Sequence, residues 1–268
     1  KIDQLALTRG WFRPKDDSEY YPLIQSFLAD TLATNEISTQ ISTSIDTNIT
    51  SGKLDEVDFL DLWYSLIHSA KRLDFRNNTD KHQKLVELAL AFKQHTVPQD
   101  KKYSYLYNAM PDFSLACREA YNDMPIVNSA FVFESEIDAW TNTNFFYARC
   151  TAQKVHDLSL YAIFALRTAL ETHYASDSSA LDIHVPAASA WILGNGHALF
   201  RTETADGNAA RGGELWAGES GFSKARWRFW KERFVAIGAM EGLREGTRIV
   251  ARDAVEGMER SETYEQIR

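Results

Sequence analysis

Cysteine is scarce in this sequence, and no long apolar run is present. The two cysteines, Cys117 and Cys150, are too few for a disulfide framework or a four-thiolate zinc site. Such cysteine usage is typical of a reducing compartment, so we expect a cytoplasmic location. No apolar stretch reaches the roughly 18 residues that a membrane-spanning helix requires, and we therefore expect no membrane span.

Basic residues are outnumbered by acidic ones. The 268 residues include 29 Lys and Arg against 37 Asp and Glu, which gives a formal net charge of −8. This charge opposes the attraction to phosphate on which nucleic-acid-binding proteins usually depend. We therefore expect no nucleic-acid partner.

The spacings of the common metal and nucleotide sites are also missing. None of the seven histidines lies four residues from another, and there is no Glu-x-x-His pair. This excludes the H-E-x-x-H zinc pattern and the carboxylate-bridged di-iron pattern. The sequence also contains no G-x-S-x-G elbow and no glycine-rich phosphate loop. We therefore predict no metal and no cofactor.

An acidic cluster in "LDEVDFLDLW" has two interpretations. Its carboxylates, Asp55, Glu56, Asp58 and Asp61, resemble the D-D-x-x-D site of class I terpene synthases, where Mg²⁺ bound by carboxylates holds a pyrophosphate. Alternatively, Asp55 caps a helix and Asp58 completes a box-like pair, because acidic side chains stabilise the positive end of a helix dipole. The cluster opens its helix and no second metal motif follows, so the sequence favours capping.

Helical periodicity is abundant. Hydrophobic residues make up 44% of the chain and aromatic residues 12%, enough for a substantial core. Ile37, Ile41, Ile45 and Ile49 recur four apart among Ser and Thr, which is the stripe of an amphipathic helix. Alternation of period two is suggested only over residues 130–133.

This periodicity predicts an all-α fold. We expect a single-domain, irregular bundle of about nine helices over residues 21–268, after an irregular lead-in over residues 1–20. The segments 55–74 and 79–95 are expected to form an antiparallel pair. The first predicted helix begins at Pro22, and the second contains the isoleucine stripe. The other predicted helices cover residues 55–74, 79–95, 113–121, 134–153, 158–174, 186–200, 223–234 and 239–262.

Polar side chains embedded in aromatic helices are the candidates for a site. A buried Arg or Asn needs hydrogen-bond partners. Such groups either bond one another and specify packing, or converge on an apolar pocket, and the sequence leaves both open. The candidate ligand-binding residues are Arg118, Asn122, Trp140, Asn144, Arg149 and Trp191, and the candidates for acid or base catalysis are His197 and Glu119.

The run "GGELWAGESGFSKARWRFWKERF", residues 212–234, is rich in tryptophan, glycine and basic residues. We expect Trp216 to anchor the glycine loop and Ser223 to cap a helix. Trp227, Trp230 and Phe234 recur at core spacing, so we expect them to dock that helix. The alternative, binding to RNA or a membrane surface, is disfavoured by the acidic remainder of the chain.

This run, together with "WTNTNFFYAR" and "LWYSLIHSAKRL" upstream, resembles a fungal family catalogued as domain of unknown function 3632. The resemblance covers about residues 20–262. It implies a helical fungal protein, and it defines no family activity or catalytic residues that could be carried over.

Two main hypotheses of function follow. The first is a non-catalytic scaffold or interaction protein with a protein partner or a homodimer. The second is a small-molecule enzyme or carrier that acts on an apolar metabolite, such as a secondary metabolite, in a helix-lined pocket. In the second, His197 or Glu119 acts as acid or base, and Arg149 and Arg118 stabilise negative charge. A magnesium-dependent, terpene-synthase-like enzyme is the third hypothesis.

Overall fold

The structure, a computed structural model, describes residues 2–9, 18–126, 134–174, 179–204 and 207–266. Within these ranges every regular element is helical and no strand is present, so the all-α prediction is confirmed. The chain divides into two compact units, Lys1–Met124 and Pro125–Arg268. None of the described helices is long and apolar enough to cross a membrane.

The first unit is built around α4, which packs against α2 and α7, while α3 packs against α5. The helices of this unit are α1 (Ile2–Arg9), α2 (Tyr21–Leu28), α3 (Thr34–Thr50), α4 (Phe59–Lys71), α5 (Thr79–Gln94), α6 (Tyr105–Asn108) and α7 (Pro111–Tyr121). Because α4 and α5 each have a closer neighbour, the expected α4–α5 pair is not the main contact of this unit.

The isoleucine stripe explains why α3 forms despite its many Ser and Thr residues. Ile37, Ile41, Ile45 and Ile49 are each at most 2% exposed, so burial of the stripe compensates for modest helix propensity. Gly52, with φ +75°, follows the end of this helix. The prediction for this segment is confirmed.

Two predictions for the first unit are wrong in detail. The lead-in contains a helix, α1, and residues 10–17 lie outside the described part of the chain. The cap of α4 is Asp58, whose side chain accepts a hydrogen bond from the backbone N–H of Asp61. Asp55 lies in a short 3₁₀ turn before it, because α4 begins later than the acidic cluster suggested.

The second unit surrounds α10, which packs against α8, α12 and α9. Its helices are α8 (Glu134–Ala152), α9 (Ser159–Leu170), α10 (Ser179–Arg201), α11 (Lys224–Gly238) and α12 (Glu245–Gln266). Most side chains of α10 are buried, on all faces of the helix, as expected of a helix at the centre of a bundle. The suggested alternation at 130–133 lies outside the described residues.

The course of α10 differs from the prediction. The helix begins at Ser179 and contains Pro186 in its interior, where a helix start was expected. It is interrupted at Asn195, whose φ of −148° and ψ of 15° are not helical, so that two helical stretches meet at a kink. Such interruptions often mark functional sites.

Acid is expected to destabilise both units, because each contains a histidine that burial keeps neutral. Burial lowers the pKa of His82 in the first unit to about 4 and that of His184 in the second unit to about 4. Between pH 6.5 and 4 these histidines bind protons in the unfolded chain but not in the folded chain. The free energy of unfolding therefore falls as the pH falls. We expect a loss of about 1–2 kcal/mol for each histidine between pH 7 and pH 5.

Urea unfolding at pH 7 and pH 5 measures this loss. His184→Phe should reduce the pH dependence, whereas His173→Phe, at an exposed position, should leave it unchanged. Equal pH dependence in the wild-type chain and the His184→Phe variant would contradict the assignment.

Candidate functional site

The kink in α10 is flanked by two glycines that permit close helix contacts. A Cβ atom at Gly194 would lie 2.7 Å from the Cβ of Ala148 on α8, and one at Gly196 would lie 3.1 Å from the Oγ of Ser261 on α12. The absence of side chains thus lets α10 approach both neighbours. The segment 194–196 is therefore a contact point of three helices.

A cavity of about 620 Å³ opens beside this kink, a volume within the range of small-molecule sites. Asn195 lies at its buried end, and the exposed side chains of Arg260 and Tyr264 mark its mouth. We call it the kink pocket. Its lining residues are Arg149 and Ala152 of α8, Ile192, Leu193, Gly194, Asn195, Gly196, His197 and Ala198 of α10, and Gly257, Arg260, Ser261 and Tyr264 of α12.

Two buried polar atoms of the kink pocket have no hydrogen-bond partner among the described residues. They are Oδ1 of Asn195 and Nδ1 of His197. Asn195 is only 4% exposed, and a buried polar atom without a partner costs about 1–3 kcal/mol. The His197 ring makes an edge contact with Tyr264 at 4.9 Å between ring centroids. Two residues that line the pocket therefore each carry a polar atom with unused hydrogen-bonding capacity.

Three predicted site residues meet in the core of the same unit. The indole Nε1 of Trp191 donates to Oδ1 of Asn144 at 2.8 Å, and Nδ2 of Asn144 donates to the carbonyl of Trp140 at 2.9 Å. All three side chains are buried and none of them lines the kink pocket. The amide of Asn144 and the indole N–H of Trp191 are satisfied by these bonds, which supports the packing interpretation for these residues.

The other predicted residues separate into two groups. Arg149 and His197 line the kink pocket. Arg118 and Asn122 are exposed in the first unit, and Arg118 pairs with Glu119 at 2.9 Å. The expectation that Arg118 and Asn122 turn inward is wrong, because the buried face of α7 consists of other residues, namely Phe113, Ala116, Cys117 and Ala120.

The acidic cluster does not converge on one point. Asp58 caps α4, and Oδ2 of Asp61 accepts the backbone N–H of Glu19 at 2.9 Å. Burial raises the pKa of Asp61. Among the residues that the structure describes, no group of three His, Cys, Asp or Glu side chains is placed to hold a metal ion. Nothing in this geometry supports the magnesium hypothesis.

A second polar cluster joins the segment after α5 to α3 in the first unit. Nε2 of His95 lies 2.7 Å from Oδ2 of Asp46, and the hydroxyl of Tyr107 donates to Oδ1 of the same carboxylate at 3.1 Å. Burial and the Asp46 charge raise the pKa of Tyr107, so its hydroxyl stays protonated and continues to donate. We interpret this cluster as a structural tie across the first unit.

The tryptophan- and glycine-rich run closes on a buried ion pair between Arg226 of α11 and Glu171 at the end of α9. Nε and Nη2 of Arg226 donate to the two carboxylate oxygens at 2.7 and 2.9 Å, and both side chains are fully buried. Nη1 of Arg226 also donates to the carbonyls of Ala210 and Gly221 at 2.9 and 2.8 Å. We call this arrangement the Glu171–Arg226 hub.

The hub also receives donors from the loop and from α11. The carboxylate of Glu171 accepts the indole N–H of Trp230 and the backbone N–H of Gly213, each at 2.6 Å. Its charge is therefore paired and its oxygens are all hydrogen-bonded, which is the condition for a stable buried ion pair. The hub holds the loop against α9 and α11.

The glycines of the loop enclose Trp216. A Cβ atom at Gly212 or Gly218 would lie 2.5 or 2.3 Å from the Trp216 indole. The indole also packs on Phe229 with 5.4 Å between ring centroids. Ser223 caps α11 by accepting the backbone N–H of Arg226. The predictions for Trp216 and Ser223 are confirmed.

The same run holds a wall of the kink pocket. Trp227, Trp230 and Phe234 are buried, as predicted. Nε1 of Trp227 donates to Glu262 of α12 at 2.9 Å, and Nζ of Lys231 lies 2.6 Å from the same carboxylate. Glu262 follows Ser261, which lines the pocket. Through these contacts the run positions α12.

A family model described as protein of unknown function (DUF3632) matches residues 63–234. The chain belongs to this family. The match includes the Glu171–Arg226 hub and the α8 and α10 walls of the kink pocket, while α12 lies beyond it. No curated protein and no solved structure matches the chain.

Sequence reasoning missed four polar residues that line the pocket, Asn195, Arg260, Ser261 and Tyr264. Asn195 carries a visible signal, an amide between two glycines inside a helical pattern. Arg260, Ser261 and Tyr264 lie on an ordinary amphipathic helix. Nothing in the sequence distinguishes them from solvated residues.

Proposed function

We propose that this family member binds a small organic molecule in the kink pocket. The observation that carries the proposal is the pair of buried polar atoms, on Asn195 and His197, that have no partner among the described residues in a cavity of about 620 Å³. A ligand that supplies hydrogen bonds to these atoms would recover the cost of their burial.

Binding is favoured over catalysis. Of the two candidate catalytic residues, His197 lines the pocket and Glu119 does not. A catalytic histidine is normally oriented by a hydrogen bond to a carboxylate or carbonyl. Nδ1 of His197 has no such partner among the described residues. This supports a carrier or sensor that recognises a metabolite with an apolar body.

The interaction-protein hypothesis remains a prediction. Large apolar side chains that are exposed stand on different elements and do not by themselves mark one surface. Among the described residues they are Leu7, Leu54, Tyr105, Met124, Ile126, Leu160, Val235, Ile249 and Tyr264.

A fragment screen by ligand-observed NMR tests the proposal. The wild-type chain should give binders that are lost in Ala152→Trp, because Ala152 lines the pocket and a tryptophan there would fill it. Ala236→Trp, at an exposed position on α11, is the matched control and should keep them. Binders that survive Ala152→Trp, or the absence of any binder, would overturn the proposal.

The two buried asparagines of the second unit give an independent prediction. Asn195→Leu removes an oxygen without a partner, so we expect the free energy of unfolding to rise by about 1 kcal/mol while ligand binding is lost. Asn144→Leu removes bonds to Trp191 and Trp140, so we expect a loss of about 2–4 kcal/mol. Urea unfolding compares the two variants, and equal losses would show that Asn195 has only a structural role.

A further inference from the structure

The charge of the kink pocket is opposite to that of the chain. Arg149 of α8 and Arg260 of α12 both line it, together with the imidazole of His197. No carboxylate is found among the described residues that line it, although acidic residues outnumber basic ones in the whole chain. Because exposed charges are screened over about 8 Å in physiological salt, these local groups decide which charge the pocket accepts.

The arginine at the mouth is available to a ligand. The guanidinium of Arg260 lies 3.6 Å from Glu256, and both side chains are about two-thirds exposed, 67% and 68%. Exposed ion pairs of this kind contribute little stability. A ligand carboxylate can therefore replace Glu256 at low cost, and a guanidinium can hold it through two parallel hydrogen bonds.

The buried end of the pocket requires a different group. Oδ1 of Asn195 can only accept a hydrogen bond, so a ligand must present an O–H or N–H there. Ile192, Leu193 and Ala152 add apolar side chains to the lining. The lining thus specifies a negative group at the mouth, an apolar body, and a hydrogen-bond donor at the inner end.

We propose that the kink pocket selects an organic carboxylate that carries a hydroxyl or amide N–H at its far end. This inference rests on the proposed function and adds the chemical class of the ligand. Arg260 holds the carboxylate, Arg149 adds positive charge to the lining, and Asn195 accepts the hydrogen bond of the opposite end.

Three probes test the inference: ω-hydroxydecanoate, decanediol and ω-hydroxydecylamine. They share an alkyl chain with a terminal hydroxyl and differ in the group at the other end. Titration calorimetry should show the carboxylate binding at least about tenfold more tightly than the diol, since a charge-assisted bond exceeds a neutral one by about that factor. The amine should bind most weakly.

Matched variants locate the effect. Arg260→Gln should lower the affinity for ω-hydroxydecanoate by about tenfold and leave the affinity for decanediol unchanged. Arg252→Gln, on the same helix but paired with Glu245 and outside the pocket lining, should change neither. Both positions are exposed, so folding is expected to be preserved.

The outcomes separate this inference from the proposed function. If decanediol or the amine binds as tightly as the carboxylate, or if Arg260→Gln has no effect, the carboxylate class is wrong while the pocket still binds ligands. If no probe binds but the screened fragments do, the carboxylate class is again wrong. Failure of the fragment screen itself would reject the proposed function.

Discussion

Replacement of Arg226 by methionine is expected to lower the free energy of unfolding of the second unit by about 3–5 kcal/mol. The variant would leave the buried Glu171 carboxylate without its cation and would remove the arginine donor from the carbonyls of Ala210 and Gly221, of which Ala210 keeps the backbone N–H of Gly221. An uncompensated charge in a protein interior is among the largest destabilising changes known. Urea unfolding followed by tryptophan fluorescence measures the loss.

Arg228→Met is the matched control for this variant, because Arg228 lies on the same helix and is exposed. It should change the free energy of unfolding by no more than about 0.5 kcal/mol. Arg226→Lys keeps the positive charge but lacks the planar guanidinium with its paired donors. Its loss of free energy of unfolding should therefore fall between those of Arg226→Met and Arg228→Met. Equal stability of Arg226→Met and Arg228→Met would show that the hub does not hold the unit together.

Replacement of Gly221 by alanine should cost about 2–5 kcal/mol, for two reasons. The φ of Gly221 is +83°, a conformation that costs a residue with a side chain about 1–2 kcal/mol. The added Cβ would also lie 1.8 Å from the carbonyl oxygen of Thr204, so the backbone would have to move, at a further cost of about 1–3 kcal/mol.

Gly242→Ala separates these two costs. Gly242 has a similar φ of +89°, and nothing lies within 4 Å of an added Cβ, so only the conformational cost of about 1–2 kcal/mol applies. The difference between the two alanine variants in urea unfolding measures the clash with Thr204. If both variants lose the same stability, the loop can relax away from Thr204 and the close approach is not essential.

The hub and the kink pocket are mechanically connected. Arg226 and Trp230 of α11 belong to the hub, while Trp227 and Lys231 of the same helix hold Glu262 of α12. Weakening the hub should therefore also disturb the α12 wall of the pocket. A run of sequence that contributes no residue to the pocket lining thus contacts the helix that forms one wall of the pocket.

The helices were largely predictable because their apolar residues recur at the period of a helix. The stripe from Ile37 to Ile49 and the aromatic residues of α11 are buried as predicted. The boundaries were less predictable. Pro186 was expected to begin a helix, but the chain enters α10 at Ser179, since packing on all sides of α10 compensates for the backbone hydrogen bond that proline lacks.

The candidate site was predictable only in part. Arg149 and His197 were selected because polar residues in an aromatic helix need partners, and both line the pocket. The same reasoning selected Arg118 and Asn122, which are exposed. A helical wheel shows that two residues share a face, but it does not show whether that face points to the core or to water.

The amino-acid sequence by itself determined the fold class, the capped and aromatic α11, and the family to which the chain belongs. These features depend on local spacing, which is readable along the chain. Only the tertiary structure decided that Glu171 pairs with Arg226, 55 residues away, and that α8, α10 and α12 enclose a pocket at Asn195. Pairing and cavity shape arise from contacts between segments distant in sequence, and no local pattern encodes them.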